Sequence, residues 1–172
     1  MEEKESGFNV FIEKGHLMYI NLTSPGISGL EWIDKFKTKG INLDPQVKAI
    51  LRSKKFVPTN NIYELVIIRG SHFDYRERTI ANVREFAYSS GFFKVTLEVA
   101  CILRYLLSDD KAKENFLHSL VAVSTHAKKE FTNVFGFDVD EKPNSLQTYS
   151  VKEVLRWRRS TGFVFSEHKI KH

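Results

Sequence analysis

The run IYELVIIRG, residues 62–70, decides how the rest of the chain is read. Six of its first seven residues are apolar, with only Glu64 between them. Its β-branched side chains suit extended backbone better than helix. An apolar run of this length without alternation is the pattern of a strand covered on both sides, so it predicts a strand central in its sheet. Gly70-Ser71 then turns the chain.

Working upstream, FNVFIEKGHLMYINL (8–22) reads as two short strands around Lys14-Gly15, a hairpin. SGLEWIDKFKTKG (28–40) opens with Ser28 and Glu31 three residues apart, a capping box that starts a helix. Leu30, Ile33 and Phe36 form its apolar stripe, and Gly40 can close it. Asp44-Pro45 is a second start signal, an N-cap followed by proline at the first helical position. Val47, Ile50 and Leu51 make the buried side of that helix. Pro58 pushes Val57 away from helical backbone.

Downstream, RERTIANVREFAYSSG (76–91) has helical spacing, with Ile80, Val83 and Ala87 on one stripe and Arg78, Asn82, Glu85 and Ser89 on another. VTLEVACILRYLLS (95–108) is a helix that is apolar on most sides, interrupted by Glu98 and Arg104, and therefore a buried one. Ser108-Asp109-Asp110 caps another short helix. LVAVSTH (120–126) and GFVFSEH (162–168) are strands, and NVFGFDVD and LQTYS between them are weaker strand candidates. The fold class that follows is α+β, with mixed α/β as the alternative. It is a single domain over 1–172, with an N-terminal hairpin, about five short helices and a sheet including strands near 62–69, 120–126 and 162–167. The sheet is covered on at least one face.

Length agrees with one domain, because 172 residues can bury about 70% of the unfolded surface without a disulfide or metal staple. The single cysteine, Cys101, excludes an internal disulfide framework. The acidic start MEEKESG has no apolar h-region, and no run approaches the roughly 18 apolar residues of a membrane span. These features suggest a soluble protein of a reducing compartment, the cytoplasm. The net charge of +5 is unevenly placed. Lys142 to His172 holds seven basic residues against Glu153 and Glu167, while residues 1–141 balance at 19 of each sign. A basic C-terminal segment over 142–172 raises the odds of an acidic partner, since clustered Lys and Arg release counterions from polyanions.

Four stretches, ISGLEWIDKFKTKG (27–40), ILRSKKFVPT (50–59), VIIRGSHFDYRERTIANVREFA (66–87) and LEVACILR (97–104), together resemble a family of short uncharacterised bacterial proteins. A strand ending in His126, Trp157 and GFVF (162–165) are similar too. The resemblance implies a shared fold and brings no activity with it. It also departs from the family at one point. Glu-Pro tends to follow the histidine there, whereas Ala127-Lys128 follows His126 here, so no role for a His–Glu pair carries over.

Candidate chemistry falls in three places. Arg78 and Arg84 are candidate anion clamps, because a guanidinium fork suits phosphate or carboxylate. The plainer reading is a solvated helix face with Arg78 and Asn82 paired at i, i+4. Glu98 and Arg104, six residues apart and about 120° around the helix, cannot simply pair with each other. Each needs a partner from another element, since an unpaired buried charge is costly, and Arg84, Arg78 or His126 could serve Glu98. The result is either a structural network or a polar pocket in which Glu98, Arg104 and His126 are the catalytic candidates. The third place is RWRRSTGF (156–163), where Arg156, Arg158 and Arg159, together with Lys169, form a candidate basic binding surface. Trp157 either stacks on a base or packs inward.

Cys101 sits inside VACIL and reads as inert packing. His168 and His172 lie four apart but not on a helix. Asp138, Asp140 and Lys142 match the end of a metal-nuclease site only loosely. No metal site follows, and the glycine loops of nucleotide cofactors are absent, so no cofactor is expected. Three classes of function remain: a binding or interaction protein, with nucleic acid or another polyanion as partner; a small hydrolase or nuclease built on Glu98, Arg104 and His126; and a structural module with a protein partner.

Overall fold

The computed structural model describes residues 11–123, 133–150 and 156–170. At its centre Ile62–Arg69 forms a strand hydrogen-bonded on both edges. In chain order the elements are β1 (Ile12–Lys14), β2 (Leu17–Thr23), α1 (Gly29–Thr38), β3 (Asn42–Leu43), α2 (Pro45–Arg52), β4 (Ile62–Arg69), α3 (Ile80–Ser89), α4 (Leu97–Leu106), α5 (Asp109–Glu114), β5 (Ser119–Ala122), β6 (Asn133–Asp138), β7 (Lys142–Ser150) and β8 (Thr161–Ser166). The eight strands form one sheet in the order β1-β2-β4-β8-β5-β6-β7-β3. All pairs are antiparallel except β5 with β8 and β3 with β7. The α+β class read from the sequence is the class observed.

Both faces of β4 are buried, and the period of two divides them cleanly. Tyr63, Leu65 and Ile67 face a core shared with Trp32 and Phe36 of α1, Val47 and Leu51 of α2, and the length of α4. Val66 and Ile68 face the other core, with Ile80, Val83 and Ala87 of α3 and Phe163, Phe165 and Trp157. The sheet is thus sandwiched between helices on both faces, where the sequence required only one.

Local signals place the small helices. At α1 the capping box forms in both directions, Ser28 N donating to Glu31 Oε2 at 2.7 Å and Glu31 N to Ser28 Oγ at 3.3 Å. Asp44 caps α2 through Val47 N and accepts Thr148 N and Oγ1 on its other oxygen, tying α2 to β7. The two-residue β3 carries no pattern a sequence could show. It exists because the chain between α1 and α2 passes beside β7.

The opening of the 76–91 stretch differs from the expected helix. α3 begins at Ile80 with Thr79 as N-cap, and Tyr75–Glu77 is a separate 3-10 turn. Arg78 explains the break. Its Nε donates to the carbonyls of Gly70 and Phe73 at 3.1 and 3.0 Å, closing the 70–78 turn instead of joining the helix. The i, i+4 pair of Arg78 with Asn82 therefore does not form. Ile80, Val83 and Ala87 point inward as the spacing requires. Glu85 is exposed. Replacing it with Gln should change stability by no more than about 0.5 kcal/mol in urea denaturation, the range of an exposed surface position. A larger loss would place Glu85 in a buried network.

Candidate functional site

At one end of the sheet β2, β5 and β8 finish and β4 begins. The segment before α4 crosses that end. Phe93 bridges to Ser166 at the end of β8, and Val95 N donates to Val123 O just past β5 at 2.9 Å. α4 then starts, and all eight residues from Leu97 to Arg104 are buried. A helix so enclosed has no wet side for its two charges, so each must be satisfied by neighbouring elements.

Glu98 lies in the first turn of α4 and is 1% exposed. Its carboxylate gathers donors from three separate places. Ser24, just past β2, shares its hydroxyl proton between Glu98 Oε1 at 2.7 Å and the Thr59 carbonyl at 2.6 Å. Thr59 N reaches Oε1 at 3.3 Å. Thr59 Oγ1 and Tyr63 Oη donate to Oε2 at 2.8 and 2.6 Å. Burial, reinforced by the hydrogen bond to Glu98, pushes the Tyr63 phenol up to about 12, so it remains a donor. The Cys101 thiol is likewise pushed well above its usual range, first by burial and then by the charge of Glu98. It is an inert core residue.

Neither Arg78 nor Arg84 serves Glu98. Arg78 is spent on the 70–78 turn, Arg84 stands on the opposite helical layer, and His126 lies outside the described residues. Sequence reasoning missed Ser24, Thr59 and Tyr63 because hydroxyl residues are common and these three have no diagnostic spacing. Beside the network is a cleft of about 400 Å³. Phe56, Val57, Pro58 and Leu97 supply its apolar lining, and Thr59, Asn60, Asn61, Thr96 and Glu98 its polar lining. Thr96 is the N-cap residue of α4 but makes no side-chain cap bond, and its buried hydroxyl lies beside the Tyr63 phenol.

Arg104 belongs to a different place. Six residues further along α4, about 9 Å by helical rise, it is also 1% exposed. Nη2 donates to Asp109 Oδ1 at 2.7 Å, and the guanidinium lies 4.4 Å from the centre of the Phe137 ring. Asp109 Oδ2 in turn accepts Asn144 N at 2.9 Å. Arg104 thus joins α4 to α5, to Phe137 of β6 and, through Asp109, to the start of β7. The structure holds Glu98 and Arg104 in two separate networks along α4, and His126 lies outside the described residues.

The basic C-terminal residues are divided as well. Arg156 to Arg159 occupy the loop before β8 and not a strand. That loop is clamped to the 70–78 turn, with Trp157 N donating to Arg78 O at 2.9 Å and Ser71 N to Arg159 O at 3.0 Å. Gly70 permits the contact, because a Cβ there would stand 2.3 Å from the Arg158 carbonyl. Trp157 is 9% exposed and packs on Tyr149 and Phe163, so it is no stacking platform. Arg158 pairs with Asp138, and with Asp140 at 3.5 Å. His118, bonded at 2.8 Å, is the main cause of an Asp140 carboxyl held below its usual range. Lys169 follows the other end of β8, about 20 Å away at strand rise. Lys169 and the arginines of the 156–159 loop thus lie at opposite ends of β8.

Among the described residues no group of three or more His, Cys, Asp and Glu side chains could hold a metal ion. His168 pairs with Glu64, and His172 lies outside the described residues. No helix of the described residues is long and apolar enough to cross a membrane. Comparison with protein-family models, curated proteins and solved structures gives no match.

Two consequences can be measured by urea denaturation. In Glu98→Ala, Ser24 Oγ keeps the Thr59 carbonyl and Thr59 Oγ1 keeps Tyr63 Oη, so one hydroxyl proton and Thr59 N lose their acceptor, and the loss should be about 2–4 kcal/mol at about 1–3 kcal/mol for each stranded donor. A loss under about 0.5 kcal/mol would mean the hydroxyls find water. Asp109→Ala leaves Arg104 buried and unpaired and should cost about 3–5 kcal/mol, while the double variant Arg104→Met, Asp109→Ala should recover most of it. Additive losses in the double variant would show that the pair is not one unit.

Proposed function

We propose that this protein is a binding module whose ligand site is the cleft between residues 55–61 and the start of α4. The observation that carries this reading is the cleft of about 400 Å³ against a buried, fully hydrogen-bonded carboxylate. Small-ligand pockets combine an apolar lining with a few rigidly placed polar groups, and this one has both. Its position fits the same reading, because β5 and β8 run parallel and end here, and open sheets bind ligands beyond the carboxyl ends of such strands. The Glu98 network serves as the frame, holding the end of β2, the 55–61 loop and α4 in one arrangement.

The geometry supports binding over hydrolysis. Both Glu98 oxygens already accept two donors each, the neighbouring hydroxyls give their protons to that carboxylate, and Arg104 is held in a separate network. A general base needs a free lone pair within reach of a substrate proton or a water.

Contact with nucleic acid or another polyanion through the 156–159 loop is the second reading. Exposed Arg156 and Arg159 favour it, and the pairing of Arg158 with Asp138 and Asp140 weakens it. One set of amide NMR titrations separates the two. A fragment library should shift resonances clustered at 55–61 and 96–98. A short DNA duplex that instead shifts 156–159, with binding lost in the triple Arg-to-Ala variant and a salt slope reduced by about 0.9 per lost phosphate contact, would favour the second. Fragment shifts scattered over the surface would remove the cleft from consideration.

A further inference from the structure

Resting on the polyanion reading of the 156–159 loop, we infer that the partner is a single-stranded nucleic acid whose bases stack on Phe116 and Tyr75 while its phosphates meet Arg159. The first reason is the backbone at Phe116. α5 ends in a Schellman motif, with Leu117 N donating to Ala112 O and Phe116 N to Lys113 O, both at 2.9 Å. Phe116 therefore follows the C-cap residue Asn115, with φ at 57°. Glycine is the usual residue there, because a Cβ crowds the backbone in the left-handed conformation. The other non-glycine residue with positive φ among the described residues is Asn144, a type that adopts it readily. A bulky side chain does not. Packing does not offset the strain at Phe116, since the residue is 71% exposed. A strained backbone that holds a large ring out in solvent points to a contact outside the chain.

The second reason is what stands beside that ring. Tyr75, at 66%, is the other Phe, Tyr or Trp more than half exposed among the described residues. The two rings flank the arginine loop. His118, two residues after Phe116, donates its backbone N–H to Ser160 O at 3.0 Å, and the 70–78 turn that carries Tyr75 is clamped to the same loop. These segments sit at one end of the neighbouring strands β4, β8 and β5, which lie within about 10 Å by strand spacing. It is the end opposite the cleft. Arg158 is answered by Asp138 and Asp140, but Arg159 is exposed and forms no ion pair among the described residues. Lys113, nearly half exposed, reaches Asp140 at 3.8 Å and adds a cation near Phe116. Aromatic faces beside cations that track a backbone are the arrangement of single-strand binders.

A duplex or a protein fits less well. The bases of a duplex are stacked on one another, whereas those of a single strand are free to stack on a ring. Protein interfaces surround an anchoring ring with an apolar core. Around Phe116 stand Lys113, His118 and the arginine loop, and the exposed aliphatic residues Val57 and Ile62 lie at the cleft end of the sheet.

Fluorescence anisotropy with the whole protein tests this on three labelled DNA probes of about ten nucleotides, namely oligo-dT, an abasic strand and a duplex. Each is titrated at about 50 and about 200 mM salt. Oligo-dT should bind more weakly as salt rises, and about tenfold more tightly than the abasic strand, which keeps the phosphates but has nothing to stack. Phe116→Gly should weaken oligo-dT by about tenfold and leave the abasic strand unchanged. Its melting temperature should stay at or above that of the wild type, because glycine relieves the left-handed backbone. Tyr75→Ala should weaken oligo-dT in the same selective way. Arg159→Ala should weaken both strands and reduce the salt slope by about 0.7. Equal binding of oligo-dT and the abasic strand, or oligo-dT binding that Phe116→Gly does not change, overturns the stacking and leaves the polyanion reading standing. Tighter binding of the duplex than of oligo-dT does the same. A lower melting temperature in Phe116→Gly shows that the ring serves the fold, and it overturns the inference. Binding of none of the three probes at the lower salt overturns the inference and the polyanion reading together, and leaves the ring to a protein partner.

Discussion

The burial of β4 on both faces is the constraint from which the rest of the architecture follows. A strand with apolar side chains on both sides must sit between two layers, and it must be hydrogen-bonded along both edges to satisfy its backbone. The N-terminal hairpin supplies one edge through β2, and β8 supplies the other. Once β8 is there, β5 lies parallel to it and the last strands spread outward. Helices α1, α2 and α4 close one face and α3 with Trp157 closes the other.

α4 carries the consequence of that close packing. Its two charged residues meet the same requirement in different ways. Arg104 has an ion pair and an aromatic face. Glu98 has hydroxyls and a backbone amide drawn from three distant parts of the chain. The second arrangement retains an uncancelled charge beside a cleft, and the first does not. That difference, invisible in the residue types themselves, is why the functional reading centres on one end of the helix.

The basic excess at the C-terminal end shows the reverse lesson. As a count it is uneven and suggests a polyanion partner. In three dimensions Arg158 lies against Asp138 and Asp140, which belong to the charge-balanced part of the sequence. The strand β8 separates Lys169 from the arginine loop. Charge excess in a segment is not charge excess on a surface, because folding brings distant carboxylates beside it.

The local elements were legible because their causes are local. Ser28 with Glu31, Asp44 before Pro45 and Ser108 before Asp109 are caps that form within one helical turn, and all three appear in the structure. The apolar run of 62–68, broken only by Glu64, was enough for a central strand, since burial on both faces leaves little polar period to see. The paired network of Glu98 could be anticipated only as a need, because a charge inside an apolar helix requires some partner. Which partner was decided by tertiary structure alone. Ser24, Thr59 and Tyr63 stand 74, 39 and 35 residues from Glu98, and only the pairing of β2 with β4 and the packing of α4 on their ends bring them within hydrogen-bond reach. The helix start at Ile80 follows the bonds of Arg78 to the carbonyls of Gly70 and Phe73, which are near in sequence but escape a reading by spacing, since spacing reports periodicity and not the competing bonds that interrupt it.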